Sequence, residues 1–81
     1  MNIVDFTEFI VKGLVKEPDL VKVQSFESDD EGTTLEIIVC NSDMGAVIGK
    51  GGKMASAIRT LVQAHAYLND HKRVRINIDS F

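Results

Sequence analysis

Val47-Ile48-Gly49-Lys50-Gly51-Gly52-Lys53 lies between a short apolar segment and a long helical one. Glycine has no Cβ, so it tolerates positive φ and lets another chain's backbone come close. Three glycines around one lysine, opening a helix, make a turn lined with exposed N–H groups. The first turn of the following helix has N–H groups without intrahelical partners, and its dipole favours negative charge. Phosphate is the natural occupant of such a turn.

Known glycine loops discriminate which phosphate. A Walker A loop needs Gly-x-x-x-x-Gly-Lys-Ser/Thr. Here only three residues separate Gly45 from Gly49, and Lys50 is followed by Gly51, so the Mg²⁺-binding hydroxyl is missing. The dinucleotide fingerprint Gly-x-Gly-x-x-Gly fails because Gly51 and Gly52 are adjacent. Gly49-Lys50-Gly51-Gly52 does fit Gly-x-x-Gly between two helices, the clamp of a KH domain. A bare Gly-x-x-Gly arises often by chance. Ile-Gly-Lys-x-Gly between two helical segments, with a strand on either side, is far more specific.

Outward from the turn, the elements follow from periodicity and punctuation. Upstream, Asn41, Ser42 and Asp43 offer N-caps for a short helix over Met44–Ile48. Downstream, a long helix is expected over residues 52–67, burying Met54, Ile58, Leu61, Val62 and His65. Near the N-terminus, Ile3, Phe6, Ile10 and Leu14 recur at helical spacing. Asn2 and Asp5 form a capping-box-like start, Glu8 and Lys12 can pair one turn apart, and Pro18 ends the segment, so a helix is expected over residues 3–16. Strands are expected over residues 20–28, 33–40 and 73–78. The polar turn Ser28-Asp29-Asp30-Glu31-Gly32 makes the first two a hairpin. Leu35, Ile37 and Val39 share one face of the second strand, and Val74, Ile76 and Ile78 point inward from the third. The two-helix crossover makes the second and third strands parallel. The expected fold is therefore α+β in the order α-β-β-α-α-β, a three-stranded mixed sheet with three helices on one face: the type II KH arrangement.

Eighty-one residues form one small domain. No apolar run approaches the ~20 residues that span a bilayer. Asp5 and Glu8 interrupt the N-terminal apolar stretch, so no signal peptide is expected. The single cysteine, Cys40, reads as a buried strand thiol, and a cytoplasmic location is expected. Net charge is −3, but it is unevenly spread. Residues 1–43 hold ten acidic and three basic side chains, whereas residues 44–81 hold two and six. No acidic residue occurs over residues 44–69, where Lys50, Lys53 and Arg59 lie. Such a local field supports weak binding of a polyanion.

With these motifs in place, the chain resembles the bacterial KhpA family. Val-Ile-Gly-Lys-x-Gly followed by Met-Ala-Ser-Ala-Ile-Arg-Thr-Leu-Val carries the likeness, which covers residues 9–78 and is densest over 31–62. The resemblance implies a small cytoplasmic RNA chaperone or post-transcriptional regulator linked to cell shape. It implies a homodimer, or a heterodimer with a second KH protein, KhpB. It also implies that single-stranded RNA lies in a groove between the short helix, the glycine turn, the long helix and the central strand. The clamp would be Gly49, Lys50, Gly51 and Gly52. Val47, Ile48 and Ile58 would floor the groove with strand residues near Ile38, and Lys53 and Arg59 would contact phosphate or base. Two departures stand out. Ala55 occupies a position where the KH signature carries a bulky aliphatic residue, and the 29–31 loop is acidic. No aromatic is expected to stack bases, with Tyr67 at the far end of the long helix.

No enzyme is expected. The sequence contains no Ser-His-Asp or Cys-His constellation. His65 and His71 are six apart without a partner Cys or carboxylate at ligand spacing, so they read as a core-edge and a solvated histidine. No metal or cofactor is expected. Ala55, Ala57, Ala64 and Ala66 serve either helix propensity or close helix packing across a dimer. Arg73 and Arg75 are expected to pair with Glu36 across the sheet. Two functions stay open: RNA binding through the clamp, and a protein-interaction module that recruits a second KH protein.

Overall fold

Asn2 starts the first helix as its sequence predicts. Its Oδ1 accepts the Asp5 N–H at 2.8 Å, and its Nδ2 donates to the Asp5 carboxylate at 3.2 Å. A computed structural model describes residues 1–28, 32–69 and 73–81. Helix α1 covers Ile3–Lys12, with Glu8 and Lys12 paired at 2.6 Å. The hydrogen bond that Lys12 donates to Glu8 holds its ammonium above its ordinary pKa.

Helix α1 stops short of residue 16. The backbone N–H groups of Lys16 and Glu17 donate to the two carboxylate oxygens of Asp43, each at 3.1 Å. A helical continuation would send those donors to carbonyls one turn back. The acceptor that captures them lies 26 and 27 residues away in sequence, so local pattern could not reveal it. Asp43 is buried and makes no side-chain cap for the short helix, contrary to the capping role expected of it.

Strand β1 (Lys22–Ser28) follows a tight turn at Pro18–Leu20 and pairs antiparallel with β2 (Gly32–Val39). The acidic residues 29–31 that join them lie outside the described residues, as does His71. Helix α2 (Met44–Ile48), a single turn at Lys50–Gly52 and helix α3 (Lys53–Asn69) cross over to β3 (Val74–Ser80), which pairs parallel with β2. The sheet order is β1-β2-β3, so β2 is central and β3 is an edge. This is the expected α+β, type II KH arrangement.

Alternation along β2 buries Leu35, Ile37 and Val39 beneath the helices. They join Val11, Val21, Val47, Ile58, Val62 and Ile76 in one core. Register sets Arg75 beside Thr34 and Glu36 beside Asn77, so Glu36 is diagonal to Arg75 rather than opposite it. The inner face of α3 differs from expectation. Ala55, Ile58, Val62 and Ala66 are buried, whereas Leu61 is 50% exposed and Met54 is half-buried. Ala55 and Ala66 point inward while Ala57 and Ala64 are exposed, so the four alanines do not form one face. His65 does lie at the core edge. Its ring stacks on Phe6 at 4.4 Å between centroids, and its Nε2 is 3.1 Å from the Met1 carbonyl.

Candidate nucleic-acid interface

The turn that joins α2 to α3 uses all three of its glycines at positive φ: Gly49 at 77°, Gly51 at 64° and Gly52 at 76°. Gly49 is a packing requirement, since an added Cβ would lie 2.6 Å from Met54 Cβ and 2.8 Å from its backbone nitrogen. At Gly51 and Gly52 an added Cβ would meet nothing within 4 Å, so those positions border open space. The turn's N–H groups divide accordingly. Those of Gly49, Gly52 and Lys53 donate to the carbonyls of Gly45, Gly49 and Lys50. Those of Lys50 and Gly51 open the single turn, where helix N–H groups lack an intrahelical acceptor. With the exposed Lys50 and Lys53 ammonium groups beside them, they form a short cationic surface where an anion can be held by direct hydrogen bonds.

A cleft of about 680 Å³ runs along the flank of α3 against β3. Arg59, Thr60, Gln63, Ala64 and Tyr67 line it from the helix, at the three-and-four spacing that keeps them on one stripe. Arg73, Val74, Arg75, Ile76 and Asn77 line it from the edge strand. At 1.5 Å rise per residue, its helical wall spans from about 10 Å to about 22 Å beyond Gly52. Gln63 Oε1 accepts the Val74 N–H at 3.0 Å, which ties the helix to the edge. The Arg73 carbonyl accepts from Thr33, so Arg73 faces β2 and its neighbour Val74 faces outward. By the period of two, the backbone of Ile76 also faces the cleft. No ion pair among the described residues engages Lys50, Lys53 or Arg59.

The expected site residues fall into three groups. Gly49, Lys50, Gly51, Gly52 and Lys53 come together in the turn, and Arg59 lies in the cleft. Ile48 is at the surface beside the turn. Val47 and Ile58, expected on the groove floor, are 0% and 1% exposed and present no surface to a ligand. The central strand does not line the groove either. Ile38 alternates with the buried Ile37 and Val39, so it faces away from the helices. The open wall is the edge strand β3. Reading from sequence therefore missed Thr60, Gln63, Tyr67, Arg73, Arg75 and Asn77. One signal was available: Arg59, Gln63 and Tyr67 share a polar stripe with the glycine turn at its head. Tyr67 is half exposed and lines this cleft at the far end of α3.

Comparison with known proteins identifies the family and the fold. Residues 4–78 match the family model described as KhpA/KhpB, KH domain. The chain is 43% identical over 77 residues to RNA-binding protein KhpA of Borreliella burgdorferi, covering 95% of this chain and 92% of that one. It is 45% identical over 69 residues to RNA-binding protein KhpA of Leifsonia xyli, covering 85% and 86%. It is 43% identical over 74 residues to its counterpart in Caldanaerobacter subterraneus, covering 91% and 96%. Among solved structures, a variant of Aquifex aeolicus Era bound to GDP and aluminium fluoride superposes with a TM-score of 0.74 at 18% identity. That match covers 98% of this chain and 30% of Era. Era in complex with MgGDPNP and a segment of 16S ribosomal RNA superposes with a TM-score of 0.71 at 18% identity, covering 96% and 29%. At that identity the Era likeness shows the fold alone.

Proposed function

The chain belongs to the KhpA/KhpB KH-domain family, and from that premise we propose that residues 1–81 act as a single KH domain binding single-stranded RNA. One phosphate rests on the Lys50 and Gly51 N–H groups, with Lys50 and Lys53 supplying charge. The strand then follows α3, where Arg59 meets the backbone and the outward-facing Ile76 backbone offers hydrogen bonds to base edges. The observation that carries this reading is a glycine turn that borders open space at Gly51 and Gly52, followed about 10 Å along α3 by a cleft walled by α3 and an open strand edge. The name of the relatives, RNA-binding protein KhpA, supports it. The cleft admits unpaired bases that a duplex keeps stacked inside. The role is that of a cytoplasmic RNA chaperone or post-transcriptional regulator linked to cell shape, without catalytic group, metal or cofactor.

A second surface supports the partner reading. Ala57, Leu61, Ala64 and Leu68 recur at four-three-four spacing along the exterior of α3. Leu61 and Leu68 are 50% and 83% exposed. This stripe suits a homodimer, or a heterodimer with a second KH protein of the KhpB kind.

Titration of labelled RNA into the protein tests the clamp. Single strands should bind more tightly than blunt duplex of equal length. K50D/G51D should lower single-strand affinity at least about tenfold, because two new carboxylates stand where a phosphate belongs. Undiminished affinity in the folded double variant would discard the clamp and leave the partner surface as the function.

A further inference from the structure

The far end of the cleft holds chemistry that a phosphate clamp leaves unused. Tyr67 is 53% exposed and shares the cleft wall with Arg59 and Arg73. Among the described residues, no ring contact or hydrogen bond engages its side chain; the aromatic stacking present is between Phe6 and His65. A half-exposed tyrosine in a cleft that also holds two exposed guanidinium groups combines a π-face with cations. That combination is how sequence-tolerant single-strand binders hold bases and backbone together. Tyr67 follows Gly52 by 15 residues, about 22 Å along the helix.

We propose that the Tyr67 ring is a stacking platform for one unpaired base at the end of the strand remote from the glycine turn. The Arg59 and Arg73 guanidinium groups neutralise the phosphates on either side of that base. A purine is preferred there because its two fused rings cover more of the phenol face. The proposal rests on the RNA-binding reading above. It extends that reading from the four backbone nucleotides that a glycine clamp holds to a longer strand with a base preference at one position.

The test uses the full chain, a long single strand of about ten nucleotides and a short one of about four, the reach of the clamp. Y67A should lose on the order of tenfold in affinity for the long strand, the scale of one lost base stack, and nothing for the short one. Y67F, which keeps the ring, should match the parent on both. A single abasic site moved along the long strand should find one position where the parent falls to the Y67A level, a readout that needs no change to the protein. Equal affinity of Y67A and the parent for the long strand overturns the platform. If K50D/G51D then still weakens both lengths, the clamp stands without it. A parent protein that binds neither length overturns platform and clamp together.

Discussion

Gly49 and Met54 are packed so closely that a methyl group at Gly49 would lie 2.6 Å from the Met54 Cβ. Its backbone, at φ 77° and ψ 172°, is in a region reserved for glycine. The two constraints have separate origins and act together. Gly49→Ala should cost about 2–4 kcal/mol of stability, from backbone strain and overpacking. Gly51→Ala meets open space and adopts φ 64°, so only left-handed strain applies, about 1 kcal/mol. Urea unfolding of both variants checks the ranking; equal losses would contradict it.

The Asp43 carboxylate joins the end of α1 to the start of α2. Asp43→Ala leaves the Lys16 and Glu17 N–H groups without their acceptor and should cost about 2–3 kcal/mol. Asp43→Asn keeps one acceptor oxygen and should lose less. Amide exchange at Lys16 and Glu17 should quicken in both, more in the alanine variant. Unchanged exchange at those two amides would mean that the carboxylate does not hold them.

RNA affinity should fall with salt along a shallow log–log slope. Of the five exposed cations that line the turn and the cleft, Arg75 is already engaged within the protein, which leaves Lys50, Lys53, Arg59 and Arg73. For single strands this gives a slope of about −3. Titration at several salt concentrations measures it, and a slope near −7 would require a phosphate path well beyond the turn and the cleft.

K50D/G51D should keep its fold while it loses RNA. Both side chains project from the turn into solvent, so the cost is the left-handed strain of one aspartate, about 1 kcal/mol. Circular dichroism and thermal unfolding on the preparation used for binding check this. A collapsed helical signal would show that the turn nucleates the fold.

Self-association should depend on Leu61. Its side chain is half exposed, so Leu61→Lys removes little core packing. A charge in the centre of the Ala57/Leu61/Ala64/Leu68 stripe should shift a dimer to monomer across the micromolar range. Sedimentation of parent and variant measures it; a dimer unaffected by the substitution would move the interface off α3.

Local codes made most of the fold legible. The Asn2 cap, the Met44–Ile48 helix, the glycine turn and the alternation in β2 and β3 each depend on neighbours a few residues apart. The parallel pairing of β2 with β3 followed as well, because a two-helix crossover permits little else. The end of α1 did not follow. Its competing acceptor, Asp43, is distant in sequence, and Pro18 drew attention to the wrong boundary. The inner face of α3 was misjudged because large apolar residues were given the core. Packing gave it to Ala55 and Ala66 instead, and left Leu61 outside.

The sequence by itself determined the turn that can hold a phosphate, since glycine positions and a following helix are local properties. Tertiary structure alone decided where a cleft would open beyond the turn. Parallel pairing puts β3 at the sheet edge beside α3, and only that juxtaposition brings Arg59 and Tyr67 opposite Arg73 and Ile76. A cleft is a space between two elements, and its width and lining depend on register and packing that no single segment encodes.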